Sequence, residues 1–109
     1  MEATVNSFGS IYEDQNQSSI STFARALSVL KLAASRGREW ENEWQGWELV
    51  DLQIDDVKAS LANPWLGKPR TSVEFGQLLL TVINVGRWYG LSIEESLNMA
   101  IERQRNQCI

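Results

Sequence analysis

The stretch Val73–Tyr89, "VEFGQLLLTVINVGRWY", decides the fold. Phe75, Leu78, Leu79, Val82, Val85 and Tyr89 recur at helical spacing and predict one buried face, with Gly90 ending the helix. Across the same segment Glu74, Gln77, Thr81 and Asn84 lie at i, i+3, i+7 and i+10. A polar stripe this narrow in so apolar a helix points either to a polar cleft between helices or to an exposed edge. Strand-type alternation is absent here and elsewhere, so the expected class is all-α.

Working outward, "NPWLGKPRTS" (Asn63–Ser72) carries both prolines and a glycine and reads as a loop, with Thr71 or Ser72 capping the helix that follows. Before it, a helix is predicted over roughly Glu39 to Leu61, with a break near Gly46. Trp47, Val50, Ile54, Val57 and Leu61 form its apolar stripe. After it, Ile93 to about Arg105 reads as a helix with Ser92 as N-cap and Glu94 and Glu95 in the first turn, where the helix dipole favours negative charge. A further helix opens at Ser21 or Thr22 and runs to about Arg36, with Phe23, Ala26, Leu27, Leu30 and Ala34 at helical spacing before Gly37. Residues 1–19 are polar and acidic with scattered apolar side chains and are expected to be a flexible arm, leaving residues 20–109 as a single helical domain. Four helices in one domain predict a helical bundle.

Composition narrows the function. The 109 residues hold 14 acidic and 10 basic side chains, a net charge of −4, and no histidine. This balance argues against binding a nucleic-acid backbone and removes the commonest neutral-pH base and metal ligand. Chemistry must then run on carboxylates. One cysteine, Cys108, excludes a disulfide framework and suits a reducing, cytoplasmic setting, and no apolar run reaches the ~18 residues of a membrane span.

Carboxylates are plentiful where aromatics are. Arg38 to Val57 contains three tryptophans and seven acidic residues, and Trp44, Glu48, Asp51 and Asp55 project within about 60° of one another on a helix, while Asp56 points elsewhere. Such a flank is either the solvated side of the helix or a cation site, because like charges at this spacing repel unless they are wet or share a metal.

"ELVD" (Glu48–Asp51) followed by "EFGQ" (Glu74–Gln77) resembles the signature of the MazG-like all-α nucleoside triphosphate pyrophosphohydrolases, Glu-x-x-Glu on one helix and Glu-x-x-Asp on the next. The run "GKPRTSVEFGQLLLTVINVGRWYGLSIEESLNMAIERQRN" (residues 67–106) is similar to the carboxy-terminal half of members with a glycine-lysine-proline loop, and the resemblance spans about residues 40 to 106. It implies a MazG-like four-helix bundle completed by pairing of subunits, a homodimer or tetramer. It also implies Mg²⁺ held on a (deoxy)nucleoside triphosphate by Glu48, Asp51, Glu74 and Gln77, with Glu48, Asp51 and Glu74 catalytic in releasing pyrophosphate. Trp44, Asp55, Lys68, Arg70, Asn84 and Arg103 are the candidate ligand contacts, the aromatic for a base and the cations for phosphate. Gln77 and Asn84 stand where the family has aspartate, and a neutral amide holds Mg²⁺ less well than a carboxylate. A second register pairs Gln53 with Asp56 as the first half of the motif, but it turns Asp56 from the flank of Glu48 and Asp51.

Three functions follow as expectations: a pyrophosphohydrolase with weakened metal binding; a nucleotide-binding sensor, regulator or sequestering protein that does not cleave; or a helical interaction module in which Trp65 and Trp88 anchor partners.

Overall fold

The computed structural model describes residues 21–108, and the expected arm of residues 1–19 lies outside them. Among the described residues the chain forms four α-helices and no strand: α1 (Thr22–Ala33), α2 (Glu43–Leu61), α3 (Lys68–Trp88) and α4 (Ile93–Gln107). A single 3₁₀ turn, Pro64–Leu66, connects α2 to α3. None of the described helices is long and apolar enough to cross a membrane. Leu32 to Ile109 forms the larger of two compact units, and most of α1 belongs to the other.

Helix ends follow local chemistry. Ser21 Oγ accepts from the Ala24 N–H at 3.0 Å at the start of α1, and Gly37 (φ +81°) halts the irregular turn Ala34–Arg38 that prolongs it. α2 begins at Glu43, four residues after the expected start. Asn42 Oδ1 caps the Gln45 N–H at 3.1 Å, and Gln45 Oε1 reaches back to accept from the Glu41 N–H at 2.7 Å, a reciprocal arrangement of the capping-box kind. No break occurs at Gly46, which is buried inside the helix. α3 begins at Lys68, five residues before the expected start, since Pro69 falls in the first turn, where no intrahelical N–H is required of it. Its carboxy-terminal end is a Schellman turn: Leu91 N–H donates to the Gly86 carbonyl (2.9 Å), Gly90 N–H to that of Arg87 (3.0 Å), and Gly90 takes the left-handed φ of +75°. α4 is capped as expected, with Ser92 Oγ accepting from the Glu95 N–H at 3.3 Å.

Helices α2 and α3 pack antiparallel. At one end Ser60 Oγ and Thr71 Oγ1 share a hydrogen bond of 2.8 Å; at the other, Trp47 Nε1 donates to Tyr89 Oη, which donates to Glu43 Oε2, both at 3.2 Å. The contact is lined by Gly46, Val50, Val57 and Ser60 of α2 and by Thr81 and Val85 of α3, all buried. The expected faces are borne out in part: Val50 and Val57 of α2 and Val85 of α3 are buried, and Ile54 and Leu78 are half-buried. The α2 contact is rotated from Trp47 and Leu61, which are exposed, toward the small residues Gly46 and Ser60. On α3 it is rotated from Phe75, Leu79, Val82 and Tyr89, again exposed, toward the polar stripe. Small side chains let two backbones approach closely, and the Trp40 ring fills the space above Gly46, where a Cβ would lie 2.6 Å from its Cζ3.

Candidate functional site

The polar stripe of α3 lies against α2. Thr81 is buried, Glu74 and Asn84 are half-buried, and Gln77 is exposed at the margin. The stripe is thus turned toward α2 at Glu74, Thr81 and Asn84 and open to solvent at Gln77. Thr81 Oγ1 donates to the Gln77 carbonyl at 3.1 Å, so the hydroxyl is satisfied within its own helix. Asn84 Oδ1 accepts from Arg87 Nε at 2.8 Å, and the Arg87 guanidinium also pairs with Glu39. Asn84 thus spends its carbonyl oxygen on an arginine.

Glu74 is different. Its side chain is 27% exposed, Oε2 lies 4.0 Å from Arg70 Nε, and Oε1 is buried with no hydrogen-bond partner. Across the contact, Gln53 Oε1 on α2 is also buried without a partner. A buried acceptor left without a donor costs about 1–3 kcal/mol, so each of these oxygens has room in its hydrogen-bonding for a donor, a water or a cation. In antiparallel register and at 3.6 residues per turn, Gln53 and Asp56 of α2 come to the same side of the pair as Glu74 and Gln77 of α3. Arg70, one turn before Glu74, stands on this side as well.

Glu48, Asp51 and Asp55 are placed otherwise. All three are exposed, roughly half a turn around α2 from its contact with α3, together with Trp44, which is 66% exposed. The structure keeps these four on one flank, as their spacing predicts, and does not bring that flank to Glu74 or Gln77. Among the described residues no three acidic or cysteine side chains gather closely enough to hold a metal ion by themselves. Lys68 is exposed in the first turn of α3. Arg103 is exposed on α4, where it lines a shallow, open depression with Met99, Asn98 and Glu102.

Gln53 and Asp56, the other register of the motif, lie nearer the α3 contact than Glu48 and Asp51 do, with Gln53 half-buried and Asp56 exposed. A signal for Gln53 was present in the sequence: it shares one side of α2 with Gly46 and Ser60 at seven-residue spacing, both of which are buried. Beside the polar side, Trp40 and Trp88 pack with ring centroids 6.1 Å apart and planes tilted by 49°.

No family model matches the chain, and no solved structure does. Among curated proteins the chain is similar to a segment of a probable protein kinase UbiB from Pasteurella multocida (strain Pm70), 33% identical over 55 residues, covering 48% of this chain and 10% of that protein. The chain spans about a tenth of the length of the curated relative it matches.

Proposed function

We propose that this chain is a MazG-like, Mg²⁺-dependent nucleotide-binding protein of the pyrophosphohydrolase type, taking a (deoxy)nucleoside triphosphate on the polar side of the α2–α3 pair. The observation that supports it is the buried, unpartnered Oε1 of Glu74, with a second buried, unpartnered oxygen, Gln53 Oε1, on the neighbouring helix. Two oxygen acceptors without a donor suit a hard cation, which takes carboxylate and amide oxygens alike and keeps several waters and phosphate oxygens in its shell. Glu74 supplies the charge, Gln53 and Gln77 supply neutral oxygens, and Asp56 adds a second carboxylate at the margin. Arg70 beside Glu74 is the cation placed for phosphate.

When bound, Mg²⁺ would polarise the phosphate and activate water. The protein's own part is to hold the triphosphate between two helices and to exclude solvent from the Glu74 carboxylate. Because two of the four oxygen-bearing side chains are neutral amides, metal is held weakly and turnover is slow. The other reading, binding without cleavage, rests on the same amides. The similarity to a segment of a probable protein kinase covers a tenth of that protein and carries no activity to this chain.

The test is pyrophosphate release and thermal shift, measured in parallel across nucleoside triphosphates with Mg²⁺. Glu74→Ala should abolish both responses. A shift without release assigns binding alone, and no response to any nucleotide leaves the interaction module. Asp56→Asn against the double change Glu48→Ala and Asp51→Ala separates the two α2 flanks; loss of Mg²⁺ response only in the double variant would move the site to Glu48 and Asp51. Gln77→Asp should raise Mg²⁺ affinity in calorimetry, and unchanged binding would count against this site.

A further inference from the structure

The oxygen donors around Glu74 are short of negative charge for a divalent cation. Gln53 and Gln77 bring neutral amide oxygens, Asp56 is exposed at the margin, and among the described residues no three acidic side chains gather into a metal cluster. The one carboxylate drawn into the helix contact, Glu74 at 27% exposure, already has a cation beside it, with Arg70 Nε 4.0 Å from its Oε2. The pair sums to zero. A dication entering here exchanges water for a single carboxylate while facing a guanidinium, and a unit charge at this range shifts a binding constant several-fold even at the dielectric of water.

The stability of α3 does not account for Arg70. It lies in the first turn, where the helix dipole disfavours a cation, and it precedes Glu74 by four residues, the weaker order for a helical ion pair. Its side chain is 61% exposed, so it leaves Glu74 at little cost and can turn its fork of N–H donors to an anion. A phosphate carrying Mg²⁺ answers both deficits together: its oxygens complete the metal's shell, supply the missing negative charge and occupy the guanidinium.

We infer that the site takes metal and phosphate only as a unit, a magnesium polyphosphate, and that Arg70 couples the two by opposing free Mg²⁺ and holding the phosphate that brings it. This rests on the proposed site at Glu74 and deepens it, since a nucleotide is then admitted through its Mg²⁺-bound phosphates.

Calorimetry on the full chain tests it, with Mg²⁺ alone, inorganic pyrophosphate alone and preformed magnesium pyrophosphate as titrants. The wild-type chain should bind the complex about tenfold or more tightly than either component. Arg70→Gln, at an exposed position where circular dichroism should show the fold kept, should bind Mg²⁺ alone about threefold more tightly and magnesium pyrophosphate about tenfold more weakly. Arg70→Lys keeps the charge and loses the fork, so free Mg²⁺ should bind as weakly as in the wild type and only the complex should lose affinity. Free Mg²⁺ bound as tightly as the complex, with Glu74→Ala abolishing both, overturns the coupling and leaves the Glu74 site standing. A preference for the complex that survives Arg70→Gln overturns it equally. Binding indifferent to Glu74→Ala, or no binding of any of the three titrants, removes the site itself and the inference with it.

Discussion

At Gly46 an added methyl would sit 2.6 Å from Trp40 Cζ3 and 2.9 Å from two further ring carbons, and that ring is braced against Trp88. Overpacking of this kind costs about 1–3 kcal/mol, against the ~1 kcal/mol that alanine returns in helix propensity, so Gly46→Ala should lower stability in urea unfolding. Gly86→Ala should behave differently. Its methyl would meet Ile93 Cδ1 at 2.6 Å, the end of a side chain free to change rotamer, with the next atom at 3.9 Å. Propensity then offsets the clash, and the expected change is within about 0.5 kcal/mol in the same measurement. Glu74 makes the opposite case. Its buried, unpartnered Oε1 is a cost in the absence of a cation, so Glu74→Leu should raise stability in chelator by about 1 kcal/mol, read as a higher melting temperature, while removing the stabilisation by Mg²⁺ and nucleotide. A melting temperature unchanged or lowered in chelator would argue that the carboxylate is structurally satisfied.

Among the elements, α2 and α3 stabilise one another and α4 stands nearly alone. Every side chain of α4 beyond Ile93 is exposed, and helices of about 12–15 residues are marginal by themselves. Its order in one chain therefore rests on Ser92 capping Glu95, the acidic first turn and the Ile93 contact with Gly86. Ser92→Ala should cost about 1 kcal/mol locally, seen as faster amide exchange through α4 with α3 amides unaffected. The same local logic made this helix legible from sequence, down to its cap, because every determinant lies within four residues of Ser92. The start of α3 was less legible. A group with two prolines and a glycine reads as loop, yet only Pro64 to Gly67 turns, and Pro69 enters the helix because the first turn asks nothing of its nitrogen.

At the scale of the whole molecule the consequential quantity is how each helix is rotated about its own axis. The candidate site depends on the same rotation. Glu48 and Asp51 fit a family signature by spacing, and Glu74 with Gln77 completes it, but spacing along one helix does not say which side meets its neighbour. α2 buries Gly46, Val50, Val57 and Ser60, which leaves Gln53 half-buried beside them and turns Glu48 and Asp51 to solvent.

By itself the sequence determined what is local: the helical class, the number of helices, the glycine stops at Gly37 and Gly90, and the Ser92 cap, since a backbone hydrogen-bond pattern and its ends are set by residues a turn away. Only the tertiary structure decided which stripe of α2 and of α3 is inside. The large apolar residues and the small or polar ones overlap around each helix, and packing lets only part of that arc meet the neighbour. Val50, Val57 and Val85, with Ser60, Thr81 and the Ser60–Thr71 hydrogen bond, occupy that contact, leaving Glu74 and Gln53 half-buried and Trp47, Phe75 and Leu79 exposed.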